Sequence, residues 1–171
     1  MKFINLPIWV ATLLCMTTSG FAQNYQWANS IGGAQAGAFA AGSAVANDGA
    51  SWIAGSFGGP NVNFDPTNSN PNAIISGAGG QNGFLARYLP NGQFDTVYHF
   101  ISPSVVEVFE VNATSTPAVY TTGEFRSTSF IGGQVFNGPT SQSDVFVARI
   151  DAAGDFDWVY QLNTEDRKSV V

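Results

Sequence analysis

Apolar residues along this chain fall in short runs at strand spacing, separated by clusters of turn-forming residues. Residues 51–57 (SWIAGSF), 105–113 (VVEVFEVNA) and 146–150 (FVARI) alternate or run apolar, while Asn47-Asp48-Gly49, Pro90-Asn91-Gly92 and Ala153-Gly154-Asp155 punctuate them. No window sustains the i, i+3, i+4 spacing of an amphipathic helix. The Ala-rich stretch 33–47 carries three glycines and aligns with the strand-like stretch 104–112, so it too predicts a strand. The pattern therefore predicts an all-β chain of short antiparallel strands.

Laid against itself, the chain repeats. Phe94-Asp95-Thr96-Val97-Tyr98 matches Phe156-Asp157-Trp158-Val159-Tyr160, and more weakly residues 25–29; the Gly-x-Phe of Gly55-Ser56-Phe57 returns as Gly123-Glu124-Phe125. In phase, this gives repeats over 25–93 and 94–155 and a partial copy over 156–171. The two fullest echoes, 84–98 and 146–160, read as hairpins. Ala152-Ala153 before Gly154 resists a two-residue turn that needs positive φ at both central positions. A three-residue loop suits both copies: a type I turn led by Pro90 or Ala152, closed by Gly92 or Gly154 in the left-handed region as a bulge. That register pairs Leu89 with Gln93 and Asp151 with Asp155, and sets Arg87 opposite Asp95 and Arg149 opposite Asp157. Arg87, Asp95, Gly92, Arg149, Asp157 and Gly154 are thus expected to be structural, the ion pairs contributing roughly 0.2–1 kcal/mol each if exposed.

Composition narrows the function classes. The chain of 171 residues has 44% hydrophobic and 13% aromatic residues, enough for a sizeable core, but only 11% charged residues. Asn, Ser, Thr, Gly and Gln supply most of its polarity. A net charge of −6 without basic clusters argues against nucleic acid or an anionic membrane surface as partner. Lys2, the apolar run 8–16 and Gly20-Phe21-Ala22 read as a signal peptide over 1–22 cleaved near Ala22, so the mature chain, 23–171, is expected to be secreted or at the cell surface without a membrane span. Cys15, the only cysteine, would leave with it.

Residues that could carry chemistry are few. His99 aligns with Ser30 and Gln161 and is expected to point outward as a polar residue. One His without Cys argues against a zinc site, and no Gly-x-Ser-x-Gly elbow accompanies it. Asp65, in Asn63-Phe64-Asp65-Pro66, and Asp144 are the candidates for an oxygen-ligand Ca²⁺ site, though neither stretch has the dense acidic alternation of a calcium loop, and no other cofactor is implied. Glu107 and Glu110 read as solvent-side residues of a strand. Trp52 reads as core, and Trp27 and Trp158, at equivalent positions, as packing residues between repeats.

The order Gly-Ser-Phe (55–57), Asn-Phe-Asp-Pro (63–66), Gly-Phe-Leu-Ala-Arg-Tyr (83–88) and Asn-Gly (91–92), echoed by Gly-Glu-Phe (123–125), Asp-Val-Phe-Val-Ala-Arg (144–149) and Ala-Gly-Asp-Phe-Asp-Trp (153–158), resembles the SBBP-type β-propeller repeat of secreted bacterial proteins. The delta-sixty repeat is a near second resemblance with the same architectural meaning. The second copy departs from the pattern where Phe130 is followed by Ile131-Gly132 instead of Asp-Pro. The resemblance implies radial antiparallel blades and no particular activity. Two and a half repeats fall short of a closed ring, so the region 23–171 is expected either to be truncated from a longer array or to self-associate through exposed sheet faces. The expected function is a non-enzymatic scaffold or binding surface for a protein or glycan ligand. A carbohydrate-active enzyme using carboxylates at the ring centre, and a Ca²⁺-dependent adhesion module, are the alternatives.

Overall fold

Strand pairing follows the sequence echo. The computed structural model describes residues 26–67 and 69–163; the signal peptide expected over 1–22 lies outside the described residues. Sheet one consists of β1 (Gly37–Val45), β2 (Ser51–Gly58), β5 (Asn82–Tyr88) and β6 (Phe94–Phe100), in the spatial order β1-β2-β5-β6. Sheet two repeats this with β7 (Val105–Ala113), β8 (Val119–Arg126), β11 (Asp144–Ile150) and β12 (Phe156–Leu162). All pairings within the two sheets are antiparallel. The described chain is thus all-β, and the Ala-rich stretch is β1, as its alignment predicts.

Each sheet carries a flap between its second and third strands. In sheet one the flap pairs β3 (Val62–Asn63) with β4 (Ile74–Ile75) around a 3-10 turn at Pro71–Ala73. In sheet two it is a plain hairpin, β9 (Thr128–Ile131) with β10 (Gln134–Asn137), whose turn uses Gly132 at φ 58° and Gly133 at φ 76°. The loss of Asp-Pro in the second copy therefore replaces a long loop by a tight one. Among the described residues no helix is long and apolar enough to cross a membrane.

The hairpin loops form as their glycines predict. Gly92 and Gly154 lie at φ 83° and 92°, Gly92 N–H donates to Leu89 O and Gly154 N–H to Asp151 O, and Leu89 and Asp151 N–H donate to Gln93 and Asp155 O. The register beyond the loop, however, differs by one residue from the expected one. Tyr88 pairs with Phe94 and Arg87 with Thr96; Ile150 pairs with Phe156 and Arg149 with Trp158. Asp95 and Asp157 are extra residues, bulged out of their strands. The cause is legible in the side chains. Phe94 and Val97 both pack into the same apolar cluster, three residues apart, and Phe156 and Val159 do likewise in sheet two. Two residues at that spacing share a face of a strand only if one residue between them is skipped.

Faces follow from this register. The front face of sheet one bears Phe84, Ala86 and Tyr88, packed against Phe57, Val62, Phe64 and Ala73 under the first flap. Its back face bears Trp52, Ala54 and Leu85, which share a core with Val106, Phe125, Phe146 and Ile150 of sheet two's front face. Phe100 stacks on Phe146 at 5.5 Å, and Tyr98 meets Phe156 edge-on at 5.5 Å. Back of one sheet to front of the next is therefore the packing rule. The glycine of each Gly-x-Phe signal permits close approach within its own sheet: a Cβ on Gly55 would stand 2.0 Å from Phe39 O, and one on Gly123 2.0 Å from Glu107 O, with the rings of Phe84 and Phe146 next nearest.

Candidate functional site

The repeated arginines sit on the back faces, and the structure gives both the same aromatic floor. Arg87 forms ion pairs with Asp95 and with Asp48 at 2.5 Å, and its guanidinium lies over the Trp52 ring at 5.8 Å. Arg149 pairs with Asp157 and lies over Tyr120 at 6.0 Å. Each arginine thus reaches diagonally across the bulge to the aspartate that the bulge pushes toward it. Asp48 is held below the usual carboxylate range, first by the Ala50 N–H at 2.9 Å and then by Arg87.

Asp65 and Asp144, the candidate Ca²⁺ ligands, lie in different units, the first in the flap of sheet one and the second in β11. Asp65 is buried and already full of donors. Its Oδ1 accepts from Thr67 Oγ1 at 2.6 Å and Thr67 N–H, and its Oδ2 from Ser69 N–H, Ser69 Oγ and Asn70 N–H. These bonds, that from the Thr67 hydroxyl first, hold its carboxyl far below the ordinary range. A carboxylate so occupied closes the turn that carries the flap. Asp144 is buried and accepts from Gln161 Nε2 at 2.7 Å. Among the described residues no group of three or more His, Cys, Asp or Glu stands where it could hold a metal ion.

One polar residue sits elsewhere than its sequence pattern predicts. His99 does not point outward. The bulge at Asp95 turns it to the front face, opposite Phe84, with its ring 5.2 Å from Phe57 and its Nε2 buried without a hydrogen-bond partner. Burial depresses its pKa. Glu107 lies on the solvent side of its strand as expected, but it is half-buried and directly opposite Glu124, and burial followed by that like charge raises its pKa. Glu110 is exposed, as expected.

What sequence reasoning missed is the back face of sheet two. There Tyr120, Trp158 and Tyr160 form a continuous aromatic row, with ring centroids 6.0 Å and 4.9 Å apart. Arg149 stands beside it, and Val145 and Leu162 flank it. The signal was available in the repeat itself, since these are the positions of Trp52, Thr96, Tyr98, Arg87, Gly83 and Phe100 in sheet one. Trp52 is core, as predicted, whereas Trp158 is half-exposed. Between the sheets, at the hairpin end, a cleft of roughly 420 Å³ is lined by Asp48, Trp52, Arg87, Tyr98 and the Asp151–Gly154 turn. It is spanned by the Asn47 side-chain amide, which donates to Ser115 O at 2.8 Å, and by Tyr98 Oη, which donates to Gly154 O at 2.7 Å.

Compared with models of known protein families and with curated proteins, the chain matches none.

Proposed function

We propose that this chain is a run of β-propeller blades, of the SBBP type its motifs resemble, exported across a membrane and serving as a non-enzymatic scaffold or binding surface. The observation that carries the reading is the back-to-front stacking of two sheets with one topology, one pair of bulges and one Arg-Asp-aromatic cluster each. The repeated residues are accounted for by folding. Arg87, Asp95 and Gly92, with Arg149, Asp157 and Gly154, set turns and faces, and Asp65 closes a flap. A surface for a protein or glycan ligand is the role that such a stack offers.

The test is expression of the full chain in a bacterial host, N-terminal sequencing of the exported product, and assay of that product for release of reducing ends from polysaccharides. The reading expects a mature chain beginning at Gln23 and no hydrolysis. Hydrolysis that disappears in Glu107→Gln or Glu124→Gln would replace it with the enzyme reading, because those are the facing carboxylates of the second sheet.

A further inference from the structure

The back face of sheet two is the counterpart of a face that, in sheet one, is covered. Trp52 is 6% exposed and its equivalent Tyr120 36%; Phe100 is 0% exposed and its equivalent Leu162 56%; Tyr160, the equivalent of Tyr98, stands 62% exposed. Sheet two thus presents the surface that sheet one buries against its neighbour's front face, with no sheet packed on it among the described residues. An aromatic and aliphatic row of this kind marks an interaction surface.

The front face of sheet one shows what such a surface docks against. Its hairpin turn is occupied by residues 26–31, which the sequence aligns with β6 and β12. Trp27 Nε1 donates to Pro90 O at 3.2 Å, and Asn29 Nδ2 donates to Gly92 O at 2.7 Å. The second of these repeats the Tyr98 to Gly154 contact between the two sheets, because Asn29 holds the place of Tyr98. Trp158 holds the place of Trp27, and Tyr160 that of Asn29 and Tyr98. Strand β12 therefore carries an indole N–H and a phenol in the positions that fit the Pro90 and Gly92 carbonyls. Beside segment 26–31 the front face is open: a groove of roughly 300 Å³ is floored by Ile53 of β2 and by Ala38 and Ala40 of β1, whose small side chains leave room for incoming rings.

We propose that the back face of sheet two docks on the front face of sheet one of a second copy of this chain, head to tail, with β12 replacing segment 26–31 at the Pro90-Asn91-Gly92 turn. The inference rests on the reading of the sheets as stacking repeats. The joint is heterologous: each copy offers one face of each kind, so association can extend. The match holds at the end of the face bearing Tyr120, Trp158 and Tyr160. At the other end Glu124 stands where sheet one has Ser56, and Glu107 where it has the exposed Phe39, so the row of Glu107, Glu124, Val145 and Leu162 carries charge and forms the margin of the joint.

Sedimentation velocity of the mature chain over a concentration series tests this. Wild type should sediment faster as concentration rises. A W158E/Y160E variant and an A38E/A40E variant should each remain monomeric, because each loses one of the two faces. Mixed in equal amounts they should form a pair containing one of each and nothing larger. W27S/N29S, which frees the turn, should tighten association by roughly tenfold, the worth of about one hydrogen bond. A wild type that stays monomeric, association that survives either double glutamate variant, or W27S/N29S weakening it would each overturn the proposal. Far-UV circular dichroism of every variant separates lost docking from lost fold. A monomeric wild type that retains the Tyr98 to Gly154 contact sinks the docking alone, whereas loss of that contact sinks the stacking beneath it.

Discussion

Phe100 and Leu162 occupy the same position in their repeats but should differ sharply in what they are worth. Phe100 is fully buried between the sheets, stacked on Phe146 and edge-on to Phe156 at 5.9 Å. Truncation to Ala removes the ring's transfer free energy and leaves a cavity walled by two other rings, a loss of about 3–5 kcal/mol. Leu162 lies on the open back face, more than half exposed. Its truncation forfeits only part of a side chain's burial and opens no cavity, which costs about 1 kcal/mol or less. Against a total stability of roughly 5–15 kcal/mol, the first loss is a large fraction and the second a small one. Thermal and urea denaturation followed by circular dichroism in dilute solution, where the chain is monomeric, would read the difference. Phe100→Ala should lower the melting temperature by about 10 °C or more and Leu162→Ala by a few degrees at most. Equal losses would refute the reasoning, because they would mean that the two equivalent faces are equally covered or equally open.

Gly123→Ala should destabilise by about 3 kcal/mol or more, since the new methyl would meet a backbone carbonyl at 2.0 Å; Gly37→Ala, whose Cβ meets nothing within 4 Å, should change stability by less than about 0.5 kcal/mol in the same denaturation assay. Asp65→Asn should lower the melting temperature at neutral pH, and it should remove part of the wild type's acid sensitivity. Asp65 is depressed in the folded chain, so its stabilisation is present above the ordinary carboxylate pKa of 3.8 and is lost as pH falls below it. His99 also titrates below its ordinary value of 6.5, so the unfolded chain takes up a proton before the folded one does and stability falls as pH drops below that value. In His99→Phe that fall should be absent from melting curves recorded through the same window; an unchanged pH dependence would contradict the buried, unpartnered placement of the imidazole.

Local turn chemistry made the hairpins legible, because a loop closed by glycine after Pro90 or Ala152 has few solutions and Gly92 and Gly154 adopt the positive φ that one of them requires. The register beyond the loop was not legible from the loop alone. Pairing Arg87 with Asp95 satisfied charge, whereas burial of Phe94 and Val97 on one face outweighs an exposed ion pair and forces the bulge; the long arginine then reaches Asp95 diagonally. The misplacement of His99 follows from the same one-residue shift. The close approaches behind Gly55 and Gly123 depend on how neighbouring strands and rings crowd the sheet, which no local pattern encodes. The aromatic row on sheet two was spelled in the sequence at every position, but its exposure depends on which sheet has a neighbour, and that is a property of the stack.

The central claim is that the back of sheet one packs on the front of sheet two in the orientation that the repeat dictates. Aromatic proton NOEs in the mature chain test it most directly. The account predicts strong cross-peaks from Phe100 to Phe146 and from Tyr98 to Phe156, whose ring centroids lie 5.5 Å apart in each pair. Cross-peaks from Phe100 or Tyr98 to Tyr120 or Trp158 instead would mean that the sheets meet back to back, and the account would fail.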